Sequence, residues 1–194
     1  MNQNNKTNRK HGFTLAELLI VVAIIAVLVA IGIPILNKTL EKSREAHDIY
    51  TMRVVASAAV DLYYAGINNE ASAKANGLKW WENDGKDQAN AAGVYNPKTG
   101  KFLAVKSDES KLAYGKGTKV DGGTSFSMGN EEGAYSTTED YTKAVVMVSI
   151  YPLGNNKHID VYWKYSSGDN KGKYVGGYEG NQNNPKYSIR ISLE

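Results

Sequence analysis

From Leu18 to Leu36 the chain runs nineteen residues without a charge, almost all of them apolar. That length meets the requirement for a helix crossing the hydrocarbon core of a bilayer. At about 1.5–3 kcal/mol per large side chain, leaving the run in water would cost tens of kcal/mol. It must therefore sit in lipid or among other helices. The mean hydropathy of the 194-residue chain is nonetheless negative, at −0.43. The remainder is polar, which implies one membrane-compatible segment joined to one water-soluble domain.

After the apolar run the pattern changes without a helix-breaking signal. Residues 35–65 contain neither Gly nor Pro, and Ile49, Met52, Ala56, Ala59 and Tyr63 recur at steps of three or four. Val55, Val60 and Leu62 lie beside this stripe, with Glu41, Lys42, Arg44, Glu45, Asp48 and Arg53 assigned to the surface. This predicts an amphipathic continuation of one helix over 37–66, ended by Gly66-Ile67-Asn68-Asn69. Residues 13–65 would then form a rod of roughly 80 Å.

Residues 67–194 make the head. Positions 67–143 are rich in Gly, Asn and Lys and read as a variable loop region, with short apolar pieces at 78–81 and 101–105. Ala144–Tyr151 is apolar on nearly both faces and predicts a central strand. Gly154-Asn155-Asn156 supplies a turn. Ile159, Val161, Trp163 and Tyr165 then alternate with Asp160, Tyr162 and Lys164, which predicts a half-buried strand. A short strand over 173–178 and an alternating one at 188–193 complete an antiparallel sheet.

The net charge of +3 does not point to nucleic acid. Lys6, Arg9 and Lys10 precede the apolar run, and without them 20 basic residues face 20 acidic ones. The absence of cysteine excludes disulfides, thiolate metal sites and cysteine nucleophiles. No ligand spacing joins His11, His47 and His158, which read as surface or leader residues. Gly115-Lys116-Gly117-Thr118 lacks P-loop spacing, so ATP-driven assembly would need a separate motor. Glu131, Glu132, Glu139 and Asp140 read as a solvated acidic loop rather than a calcium site. Trp80, Trp81 and Trp163 read mainly as packing residues, with stacking on sugars as the alternative. No catalytic residue, metal or cofactor is expected.

Three features stand in fixed relation at the N-terminus. Residues 1–12 form a basic leader ending in Gly12, the apolar segment opens at Phe13, and a lone carboxylate, Glu17, follows. An ordinary secretory signal discards its apolar stretch, whereas a cut after Gly12 would keep the whole helix. The leader's positive charge holds it on the cytoplasmic side. A carboxylate in such a segment is unfavourable by a few kcal/mol and implies a partner. A competing cut after Ala30-Ile31-Gly32 would release a soluble binding module beginning at Ile33.

Lys10-His11-Gly12-Phe13-Thr14-Leu15-Ala16-Glu17 closely resembles the processing site of type IV prepilins and pseudopilins. The resemblance covers residues 6–40 closely, loosens to about residue 65, and extends over the rest only as architecture. It implies an α+β, pilin-like fold, with the second half of the helix packed on an antiparallel sheet of three to five strands. It further implies cleavage between Gly12 and Phe13 by a prepilin peptidase, N-methylation of Phe13, and assembly through Glu17 and the Phe13 amine of a neighbouring copy. Gly32 and Pro34 fall where the family bends its helix. The implied product begins as a single-pass cytoplasmic-membrane precursor and ends in an extracellular filament of itself and other pilins. A separate ATPase and an inner-membrane platform protein would drive its assembly. The missing disulfide is more like Gram-positive members, and a pseudopilin of a secretion or competence system shares the same N-terminus.

Overall fold

The computed structural model describes residues 12–82, 89–104, 112–117, 135–136, 141–168, 171–175 and 188–194. The chain divides into two compact units, one ending at Leu40 and one spanning Glu41–Glu194. A single helix, α1 (Leu15–Tyr64), contributes to both.

In the first unit α1 is apolar on all sides. Every large apolar side chain from Leu15 to Leu36 is about half exposed or more. The helix continues through Gly32 and Pro34. Pro34 has no N–H to give the preceding turn, so this is the locally weakened part of the ladder. Downstream, the Thr39 hydroxyl donates back to the Ile35 carbonyl at 2.9 Å.

In the second unit one stripe of α1 is buried: Asp48, Thr51, Met52, Val55, Ala56 and Ala59. The helix ends as its sequence predicts. Gly66 N–H donates to Tyr63 O at 3.0 Å and Ile67 N–H to Leu62 O at 3.4 Å, with Gly66 at φ 95°. That pair of bonds is a Schellman motif, and Ile67 beyond it is buried. A short helix, α2 (Glu70–Ala75), follows, capped by the Asn69 side chain on Ser72 N–H.

The sheet is built on three central strands, β2 (Asn90–Asn96), β5 (Ala144–Tyr151) and β6 (His158–Tyr165). β5 lies between the other two and pairs with β6 along its full length, from Ala144 opposite Tyr165 to Tyr151 opposite His158. Two short strands, β1 (Lys79–Trp81) and β3 (Lys101–Leu103), share the free side of β2 end to end. On the far side, β8 (Ser188–Ser192) and β7 (Tyr174–Val175) share β6 in the same way. β4 (Tyr135–Ser136) adds to β7 in parallel, while the other pairings are antiparallel. The expected three to five strands thus form the body of the sheet, and two- and three-residue strands raise the total among the described residues to eight.

One face of the sheet meets α1. Met52, Val55, Ala56 and Ala59 pack with Ala144, Val146, Val148, Ile150, Ile159, Val161 and Trp163. Trp163 sits at the centre, edge-on to Tyr141 at 5.2 Å. Close approach at the β2 edge depends on Gly93, where a Cβ would lie 2.5 Å from Leu78 Cδ2 and 2.9 Å from Leu103 O.

Several residues read from sequence as solvent-facing are not. β6 is buried on both faces apart from Lys164. Asp160 is 1 % exposed and held by a two-point pair with Arg190, directly opposite it in register. Tyr162 is buried and shares a hydrogen bond with Ser149 at 3.2 Å. His158 is buried, stacked on Tyr151 at 4.3 Å, with Nδ1 against the Asn156 carbonyl at 2.7 Å. A second small apolar cluster of Val94, Val145, Met147 and Tyr162 covers this face beneath Leu112 and Tyr114. A carboxylate on a strand can alternate like a surface residue and still be buried once a cation from the next strand completes it.

Asp48 is the sharpest correction. Assigned to the helix surface, it is 1 % exposed and gathers the segment 112–117 onto α1. Its carboxylate accepts from Lys116 N–H at 3.1 and 3.0 Å and from Gly117 N–H at 2.7 Å. Successive amides around one anion form a nest. Gly115 makes the approach possible, since a Cβ there would lie 2.0 Å from Tyr141 O. Tyr114 completes the strap, its hydroxyl donating to Tyr95 O at 2.9 Å and accepting from Val146 N–H at 2.8 Å.

Burial holds the Asp48 carboxyl above its ordinary range, outweighing the opposing pull of the Gly117 and Lys116 amides and of His47. The folded chain therefore binds this proton more tightly than the unfolded chain. The stabilisation is complete below the ordinary carboxylate value and is lost as pH rises through the folded one. Asp48→Ala strands the buried Gly117 amide and the part-buried Lys116 amide and should lower stability by about 2–4 kcal/mol, with Asp48→Asn costing less because its carbonyl still accepts. Urea denaturation of the purified chain measures this, and an unchanged midpoint for Asp48→Ala would refute the strap.

Candidate functional site

The candidate site is the junction between Gly12 and Glu17. Gly12, Phe13 and Thr14 lie outside the helix, which begins at Leu15. The reason is local and readable in the sequence as Thr14-x-x-Glu17 ahead of an apolar run. Glu17 N–H donates to Thr14 Oγ1 at 3.2 Å, while the Thr14 amide donates to Glu17 Oε2 at 2.8 Å. The Thr14 hydroxyl donates to the same carboxylate oxygen at 3.0 Å. These reciprocal bonds form a capping box with Thr14 as N-cap and Glu17 three residues on. The first helical bond, Leu18 N–H to Thr14 O at 3.2 Å, follows directly.

The Gly12–Phe13 bond is therefore held in a non-helical segment immediately upstream of the cap. A protease must draw its substrate's backbone into an extended form, and this bond needs no helix melted to allow that. A Cβ at Gly12 would meet nothing within 4 Å, and the same holds at Gly32. The chain's own packing does not require glycine at either place. Phe13 is 89 % exposed, with its backbone one residue from the amide that Glu17 already binds. Gly32 and Pro34 lie farther along the same helix and are not brought to this junction.

The structure brings Glu17 together with Thr14, a residue to which sequence reasoning gave no role. The signal was present, because Thr-x-x-Glu at the start of a hydrophobic stretch is the sequence form of the capping box. Capping also explains how a carboxylate is held at the end of an apolar helix. It faces the unsatisfied amides and the positive end of the helix dipole.

Elsewhere, the other candidates separate cleanly. Trp163 is fully buried and Trp80 packs against the core. Trp81 is partly exposed, but the Lys79 ammonium lies 3.3 Å from its ring centroid and covers one face. His47 is half exposed beside Asp48, whereas His158 is buried as described above. Among the described residues, no three His, Asp or Glu side chains converge on a metal-binding point. The leader residues 1–11 and the acidic positions Glu131, Glu132, Glu139 and Asp140 lie outside the described residues.

Residues 7–33 match the family model described as the prokaryotic N-terminal methylation motif. Searches of curated proteins and of solved structures found no match. The matched segment contains the leader end, the Gly12–Phe13 bond, the capping box and most of the apolar run. α1 is long and apolar enough to cross a membrane. Motif and helix together support a type IV pilin-like or pseudopilin precursor anchored in the membrane. They point to a structural protein, and the motif implies processing by prepilin peptidase and assembly into filaments. For the cap itself, Thr14→Ala should weaken the first helical turn by about 1 kcal/mol. Amide exchange of Glu17 and Leu18 in micelles should quicken roughly fivefold, and unchanged exchange would contradict the capping assignment.

Proposed function

We propose that this chain is the structural subunit of a type IV pilus. The observation that carries the reading is the junction itself: a Gly–Phe bond just ahead of a capped helix whose first half is apolar all round and has no cover among the described residues. Cleavage between Gly12 and Phe13 removes residues 1–12 and keeps the helix. Phe13 becomes the new N-terminus and the site of methylation. Residues 13–36 serve as membrane anchor and later as filament core, 37–66 as the amphipathic continuation, and 67–194 as the displayed head. The precursor waits in the cytoplasmic membrane and then passes into a surface filament serving adhesion, aggregation or motility.

Glu17 has two roles in sequence on this reading. In the precursor it caps its own helix through Thr14. In the filament the cationic amine of a neighbour's Phe13 joins it, so that neither charge is left alone in an apolar core. Gly32 and Pro34 mark where the helix yields to curvature. The partners are further copies, other pilins, the peptidase, and a separate ATPase with its platform protein. The absence of cysteine is more like Gram-positive members, and the size of the head, residues 67–194, favours a pilin over a pseudopilin.

Glu17→Ala should still be inserted and cleaved, because the scissile bond and the leader are untouched. Its surface filament yield should fall by about tenfold or more, since a few kcal/mol of charge pairing is lost from each contact. Filaments at wild-type yield would remove the pairing. Immunogold labelling of long surface pili with antibody to the head distinguishes a pilus from a short pseudopilus.

A further inference from the structure

We infer that the rim of the sheet where β1, β2 and β5 end, on the face away from α1, binds a carbohydrate. Trp81 is the stacking platform and the Asn90 amide is the hydrogen-bonding group beside it. This site belongs to the head alone and does not depend on how the chain assembles.

The strand register decides which side chains share this face. Trp80 lies opposite Ala91, Ala91 opposite Ile150, and Ile150 opposite Ile159. All four belong to the core packed under α1. The next position on each strand points the other way. That row is Trp81, Asn90, Tyr151 and His158, with Trp81 directly opposite Asn90 and Tyr151 directly opposite His158. Tyr151 and His158 stack at 4.3 Å with their planes 15° apart. The separation is close to the strand spacing of about 4.8 Å, so both rings stand upright on the sheet. Asn90 is thus a short side chain between two tall ones, Trp81 on one flank and Tyr151 on the other. It forms the floor of a pit two strand spacings across.

The floor is what calls for a ligand. Asn90 is 8 % exposed, yet its side chain makes no hydrogen bond among the described residues. Its amide atoms are not sealed from solvent either. A buried amide left without a partner is unfavourable, and a group entering the pit removes that penalty. The wall beside it is aromatic and accessible. Trp81 is 39 % exposed although the Lys79 ammonium lies 3.3 Å from its ring centroid. Lys79 covers one face of the indole, so the opposite face and the rim are what solvent reaches. A pyranose matches both features at once. Its C–H-rich face stacks on the indole, and two neighbouring hydroxyls meet the one acceptor and two donors of Asn90. An apolar peptide side chain on Trp81 would leave the Asn90 amide unanswered.

The test titrates the full chain, held in zwitterionic micelles free of sugar headgroups, with cellotriose, chitotriose and maltotriose. Backbone amide signals of β1 and β2 report binding, and those of β5 and β6 report that each variant is folded. At least one trisaccharide should bind with a Kd of about 1 mM or tighter. Trp81→Ala should weaken that binding by about tenfold or more, and Asn90→Ala by about fivefold or more. Tyr64→Ala, which removes an exposed ring on α1, should leave it unchanged. Should Asn90→Ala not fold, Trp81→Ala at its exposed position decides alone. No shift with any of the three sugars at about 10 mM, tenfold above that Kd, would overturn the site. Binding that survives Trp81→Ala undiminished would overturn it equally. Neither result touches the filament reading, which rests on the N-terminal junction.

Discussion

The apolar surface of residues 18–36 is the constraint to which the rest answers. Among the described residues nothing covers it. On the proposed reading the cover comes from lipid first and from other copies later, and one helix serves both settings. Its first half is hydrophobic all round, and its second half is split into a buried stripe and a wet arc. A capped beginning and a Schellman ending give this helix defined limits. The cap also places the Gly12–Phe13 bond outside it.

The head is held by two kinds of interaction that reinforce one another. Apolar packing between α1 and the inner face of the sheet supplies most of the burial, with Trp163 at its centre. Buried charges then fix what packing alone leaves loose. Asp160 and Arg190 tie β8 to β6, and Asp48 ties the 112–117 strap to the helix. Both carboxylates are satisfied by several donors, as burial of a charge demands. Breaking the Asp160–Arg190 pair would be destabilising, because the remaining charge is left stranded.

Much of this was legible from the residues. The helix and its stop at Gly66 follow from periodicity and from the lack of Gly and Pro before it. β5 follows from a run that is apolar on both faces, and β6 and β8 follow from alternation. β2 was hidden because Asn90-Ala91-Ala92-Gly93 has no strand preference of its own. It becomes a strand because β5 offers a free edge and because Gly93 lets Leu78 and Leu103 close in. Asp48 and Asp160 look like surface residues in the sequence for one shared reason. Polarity marks a surface residue only until a distant segment supplies partners, and those partners lie 30 to 69 positions away for the two aspartates. At the N-terminus, the charge of Glu17 is the conspicuous signal, and the same four-residue pattern also encodes its bonds to Thr14.

The central claim is that maturation keeps the hydrophobic helix and exposes a new amine at its head. N-terminal sequencing with intact mass, applied to the chain sheared from cell surfaces, tests it most directly. A product beginning at Phe13, carrying one added methyl group and sedimenting as filaments, is what the account predicts. A product beginning at Ile33, or a chain recovered only as dispersed soluble monomer, would contradict it.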